Sequence, residues 1–116
     1  MHSGQSKYEE ALKLYHKALN IEEKAFGKDS AITAGTYNNI ALVYNLQGKY
    51  QKALDWFKRA LAIYEKVLGD EHSSTITAYN NIATTYHDYG SYSEALIWYK
   101  KALTICEKMF GKKHFK

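Results

Sequence analysis

The side chains that could do chemistry in this chain are five histidines, one cysteine, a scatter of lysines and glutamates, and two asparagine pairs. A metal site needs ligands gathered at short helical or turn spacings, usually with a cysteine or carboxylate set beside them. His2, His16, His72, His87 and His114 show no i, i+4 pairing and no such set, so no metal and no cofactor is expected. A nucleophilic thiol needs a base or a cationic neighbour to draw off its proton. Cys106 has no obvious base nearby in the sequence, and no residue is a candidate catalytic group. We therefore expect a protein that is not an enzyme.

Nucleic-acid binding calls for a basic face, preferably with aromatic residues that stack on bases. Here the lysines alternate with glutamates, the pattern of a solvated outer surface. Only Lys108, Lys112, Lys113 and Lys116 cluster, in what reads as a basic tail. What remains is the amides: Asn38-Asn39 and Asn80-Asn81, each pair set in the same words of sequence. An asparagine offers two donors and an acceptor, the equipment for gripping a peptide backbone. The plainer reading is that each pair ties neighbouring helices together.

The elements that position these amides are revealed by an internal repeat. Tyr79-Asn80-Asn81-Ile82-Ala83, Tyr86, Gly90, Tyr92, Ala95-Leu96, Trp98, Ala102-Leu103, Ile105 and Glu107-Lys108 recur 42 residues earlier. The earlier copy reads Tyr37-Asn38-Asn39-Ile40-Ala41, Tyr44, Gly48, Tyr50, Ala53-Leu54, Trp56, Ala60-Leu61, Ile63 and Glu65-Lys66. One more step of 42 meets only the second half of a third copy, Tyr8, Ala11-Leu12, Ala18-Leu19, Ile21 and Glu23-Lys24. A fixed period of this size is the mark of a solenoid. We divide the single domain, 1–116, into a half repeat at 6–26, full repeats at 27–68 and 69–110, and the basic tail at 111–116. Residues 1–5 are set aside, because Met1-His2-Ser3-Gly4 reads as a cloning remnant.

Each repeat splits at a glycine into a helix A and a helix B. Helix A is expected over about 31–47 and 74–89, with Tyr37, Ile40, Ala41 and Tyr44 forming one buried stripe at i, i+3, i+4, i+7. Helix B is expected over about 7–26, 50–68 and 92–110, stopped by Gly27, Gly69 and Gly111. It carries two apolar stripes, such as Leu54, Phe57, Leu61 and Trp56, Ala60, Ile63, and so must be buried from two sides. Ser30, and Ser73 or Ser74, are placed to cap the A helices.

Composition agrees. The chain has no proline, seven glycines and a net charge of +4, which suits an all-α protein. No apolar run approaches the ~20 residues of a membrane span, so no membrane association is expected. A single cysteine fits a reducing compartment, and we expect a cytoplasmic protein. Residues 31–47 bear no charged side chain, and 73–89 bear only Asp88.

The pattern Tyr-Asn-Asn-Ile-Ala-x-x-Tyr, Gly-x-Tyr-x-x-Ala-Leu, an aromatic residue, then Ala-Leu-x-Ile-x-Glu-Lys resembles the tetratricopeptide repeat. The 42-residue spacing is similar to the long-helix form of kinesin light chains, although no proline follows His72 as that pattern usually has it. The resemblance implies an α-α superhelix of five helices in the order B-A-B-A-B, serving as a protein-interaction scaffold. It also implies that the A helices line a concave groove for an extended peptide or partner protein. The residues falling there are Asn38, Asn39, Leu42, Asn45 and Leu46, and in the next repeat Thr77, Asn80, Asn81, Thr84 and His87. Family members that clamp a terminal carboxylate use lysines and arginines on this face. None stand here, so the ligand is expected to be uncharged.

The two ends of the series are unfinished. The first B helix lacks its own A helix, and the last lacks a following one. Terminal repeats need a polar cap for solubility, and apolar patches left bare favour association. From Tyr8, Leu12, Tyr15 and Leu19 at one end, and Trp98, Ile105 and Met109 at the other, we expect homo-oligomers formed by end-to-end stacking or helix exchange. Self-assembly with no specific ligand is the alternative functional reading.

Overall fold

The structure, a computed structural model, describes residues 3–114. Five helices follow one another: α1 (Ser3–Phe26), α2 (Ala31–Leu46), α3 (Tyr50–Val67), α4 (Ser73–Tyr89) and α5 (Tyr92–His114). Each packs chiefly on its neighbours in sequence, α1 on α2, α2 on α3, α3 on α4 and α4 on α5. Stacking of this kind makes a slab and not a ball. The radius of gyration is 15.5 Å, against about 13 Å for a compact chain of this length.

The B-A-B-A-B order is the one expected, with α2 and α4 as the A helices. Gly48 and Gly90 end them in the left-handed region, at φ 80° and 94°. In both turns the amide following the glycine reaches back, Lys49 to the Tyr44 carbonyl and Ser91 to the Tyr86 carbonyl, each at 2.8 Å. That bond satisfies a carbonyl the helix end would otherwise strand.

The structure differs from the sequence expectations, or adds to them, at three places. Gly111 does not stop the last helix, since α5 continues to His114 and only Gly27, Gly48, Gly69 and Gly90 take positive φ among the described residues. Ser3 and Gly4, set aside as a remnant, lie in the first turn of α1. And α4 is capped not by a serine but by His72, whose Nδ1 accepts from the Ser74 amide at 3.0 Å. Ser30 does cap α2, accepting from the Thr33 amide at 3.1 Å.

The core runs the length of the stack through Ile40, Ala41, Leu54, Phe57, Ala60, Leu61, Ala78 and Ile82. The A helices are buried more widely than one stripe. Thr33, Thr36, Val43, Thr75 and Thr85 are buried as well. Threonine hydroxyls tolerate this because they are bonded: Thr33 donates to the Gly27 carbonyl at 2.9 Å and Thr75 to the Gly69 carbonyl at 2.7 Å. These two bonds are one device repeated, pinning the start of each A helix to the end of the B helix before it.

Candidate functional site

On α2, Asn39, Leu42 and Leu46 are exposed at i, i+3, i+7 and therefore share a face. On α4 the same holds for Thr77, Asn80, Thr84 and His87. A bond between the two A helices sets these faces side by side: Asn45 Nδ2 donates to Thr85 Oγ1 at 2.9 Å, and Thr85 in turn donates to the Asn81 carbonyl at 2.8 Å. The surface so formed mixes amides, hydroxyls and two leucines, and α2 adds no charge to it.

The expected groove residues thus divide. Asn38 is half-buried, and its Nδ2 lies 3.4 Å from the Tyr64 hydroxyl of α3. Its Oδ1 is shielded from solvent and unpaired among the described residues. Asn45 is the interhelical tie, and Asn81 is half-buried beside it. Thr84 shares a 3.0 Å hydrogen bond with the Tyr99 hydroxyl of α5. His87 stands edge-on to Tyr92, ring centres 5.0 Å apart, with Nδ1 3.9 Å from Asp88. Asn39, Leu42, Leu46, Thr77 and Asn80 keep their side chains at the surface. Of the amides, Asn45 is thus an interhelical tie, while Asn39 and Asn80 are left exposed.

A second set of contacts surrounds the two tryptophans. Trp56 and Trp98 are half-buried with cations over their rings: Arg59 at 4.8 Å from Trp56, and Lys101 at 4.3 Å and Lys58 at 5.8 Å from Trp98. Lys58 also donates to the Tyr86 hydroxyl at 2.8 Å. Trp56 meets Tyr37 edge-on and Trp98 lies near Tyr79, ring centres 5.3 and 5.8 Å apart. The clue was available, since the positions of Lys58 and Arg59 recur as Lys100 and Lys101.

A second repeated device joins each A helix to the preceding B helix. The Tyr37 hydroxyl donates to Glu23 at 3.1 Å, and the Tyr79 hydroxyl to Glu65 at 2.5 Å. Burial, the hydrogen bond and the carboxylate charge together push both phenols above the usual tyrosine range. Burial raises Tyr64 too, against the opposing pull of its bond from Asn38.

In the second repeat Cys106 stands where the first has Tyr64, and Thr77 where the first has Gly35. Tyr64 reaches across to Gly35, where an added Cβ would sit 3.8 Å from its hydroxyl. With the ring gone, an open pocket of about 290 Å³ lies among Ser73, Ile76, Thr77, Cys106, Met109 and Phe110. No cluster of three or more histidine, cysteine, aspartate or glutamate side chains that could hold a metal ion forms among the described residues. No helix among them is long and apolar enough to cross a membrane.

The residues expected to mediate self-association are placed differently from the expectation. Leu19 and Ile105 are buried in the core, and Leu12, Tyr15, Trp98 and Met109 pack against it, while Tyr8 is half-buried. They hold α1 to α2 and α5 to α4. The large apolar side chains left bare are instead Leu14, Ile21 and Phe26 on α1, and Tyr92, Leu96, Ile97, Tyr99, Leu103 and Phe110 on α5.

Comparison with known proteins agrees with this geometry. The crystal structure of BtubC (BKLC) from P. vanneervenii superposes with a TM-score of 0.82 at 22% identity, covering 89% of this chain and 41% of that one. A putative kinesin light chain of Podosopora anserina with nearly identical TPR-like repeats gives 0.75 at 22% identity, covering 93% of this chain and 51% of that one. A single-residue variant of that protein gives the same values. The chain thus spans about half or less of these proteins' lengths, and at such identity the likeness is one of fold. No curated protein sequence matches. A family model described as tetratricopeptide repeat matches residues 1–66 and again 32–108, nearly the whole chain in two overlapping frames. The 42-residue period, the A and B helices and their repeated latches together have their explanation: the chain belongs to the tetratricopeptide repeat family, with repeats folded like those of the kinesin light chain neighbours.

Proposed function

We propose that this chain is a non-catalytic interaction scaffold that holds an extended, uncharged segment of a partner protein along the α2–α4 face. Tetratricopeptide arrays in general serve as protein-interaction scaffolds. The observation that carries the finer reading is the row of exposed, uncharged side chains, Asn39, Leu42 and Leu46 continuing into Thr77 and Asn80, on two A helices tied by Asn45. Leucines bury apolar ligand groups, while free amides bond the ligand backbone. With so short a row the affinity is weak, and longer arrays gain by extending it.

Amide-detected NMR with a random uncharged peptide pool tests this directly. Shifts gathered on Asn39, Leu42, Leu46, Thr77 and Asn80 support the groove. Shifts confined to α3 and α5, or none at millimolar peptide, overturn it.

A second reading, self-association, is favoured by the bare leucines of α5. It needs no ligand and no part of the groove.

A further inference from the structure

The three B helices are copies, so each shows what the others would look like with or without cover. On α3, Leu54, Phe57 and Leu61 lie under α4 and are 3%, 1% and 6% exposed. The same positions of α5 are Leu96, Tyr99 and Leu103, exposed at 55%, 39% and 56%. On α1 they are Leu12, Tyr15 and Leu19, packed on α2. The latch extends the comparison: Glu23 of α1 receives Tyr37 and Glu65 of α3 receives Tyr79, but Glu107 of α5 has no partner among the described residues. At these four positions α1 and α5 are identical, Leu, Tyr, Leu and Glu.

From this identity we infer that the face of α2 now covered by α1 is also an acceptor for α5 of a second copy, and that α1 acts as its built-in plug. The inference deepens the self-association reading and does not depend on the groove. A docked α5 would bury Leu96, Tyr99 and Leu103 against α2 and bring Glu107 to the Tyr37 hydroxyl. The joint repeats the α3–α4 packing, B helix followed by A helix. Direct stacking of α5 on α1 would instead set two B helices together with an A helix missing between them.

Two differences set the balance in favour of the plug. Glu22 of α1 accepts from Thr36 at 2.6 Å, and α5 has Cys106 at that place. The Gly27 carbonyl that receives Thr33 also has no counterpart, because α5 runs helical through Gly111. In addition α1 is tethered, at an effective concentration in the millimolar range. A free copy competes only where α1 is loosened. The contact is head-to-tail between unlike surfaces, so it runs on into an open chain unless its rotation closes a ring.

The test uses the full chain in sedimentation velocity. Leu19→Asp, which loosens α1, is expected to raise the average mass several-fold at a concentration where the parent chain is monomeric. Leu103→Glu lies on an exposed site and is expected to stay monomeric and folded. The double variant is expected to return to monomer, which separates docking from aggregation of a damaged core. Glu23→Ala, a milder loosening, replaces Leu19→Asp if that chain does not fold. A folded loosened variant that stays monomeric overturns the inference, as does a double variant that still associates. Association of the parent chain to the same extent as the loosened one also overturns it, since an α5-to-α5 pair would ignore the state of α1. Peptide shifts on α2 and α4 should persist in Leu103→Glu, so failure here and failure of the groove are told apart.

Discussion

Leu61 and Leu103 are the same residue at the same place in successive repeats, one covered and one bare, and replacing each by alanine should have unequal effects. Leu61 is 6% exposed beneath α4. Truncating a buried leucine costs about 2–5 kcal/mol, since transfer is lost and a cavity remains. Leu103 is 56% exposed, so less than half of its burial is at stake. Full burial of a leucine is worth about 1.5–3 kcal/mol, which leaves roughly 1 kcal/mol or less here, and an open site leaves no cavity. The expected gap is therefore about 2 kcal/mol, or some tens of per cent of the stability of an ordinary small domain. Urea unfolding of both variants at low protein concentration measures it, provided the slope m is unchanged. Equal losses, within about 0.5 kcal/mol, would refute the packing described for the last helix.

Three further outcomes follow from the repeated bonds. Tyr37, Tyr64 and Tyr79 hold their protons more tightly folded than unfolded, so the stability they confer is whole below the unfolded value of about 10 and fades as pH rises towards the folded values. Stability followed by denaturant midpoint should thus fall above about pH 10, and fall less steeply in Tyr79→Phe, which costs about 1 kcal/mol at neutral pH through its lost bond to Glu65. Asn45→Ala should cost about 1 kcal/mol by cutting the tie to Thr85, and a double cycle with Thr85→Ala should show non-additivity. Cys106→Tyr with Thr77→Gly copies the first repeat into the second and should stabilise by about 0.5–2 kcal/mol in the same assay.

The fold was legible because repetition reports the same packing more than once. Gly48 and Gly90, the widely apolar B helices and the nearly charge-free A helices pointed to the observed stack. Thr33 and Thr75 recur at the repeat spacing and could have been read as core, yet threonine carries no apolar signal and its hydroxyl bonds are seen only in three dimensions. His72 was missed as a cap because an imidazole nitrogen is an uncommon acceptor there. At the ends the difficulty was of another kind. An apolar pattern tells that a helix face wants cover, but which of two such faces has found it depends on the neighbour present. Leu19 and Ile105 had found theirs, and Leu96 and Leu103 had not. Which A-helix amides stay at the surface was not legible, since Asn38 and Asn45 look like Asn39 until their partners are known.

The claim beneath all of this is that every B helix in the stack is shaped to receive an A helix on its far side. Writing residues 69–90 a second time after Phe110 supplies one in register with Glu107. Hydrogen exchange of the added segment is the decisive measurement. Protection of its central amides to the level of those in α4 is the expected result, with the duplicated tyrosine held by Glu107. Exchange at the rate of an unstructured tail, with the outer leucines of α5 still bare, would contradict it.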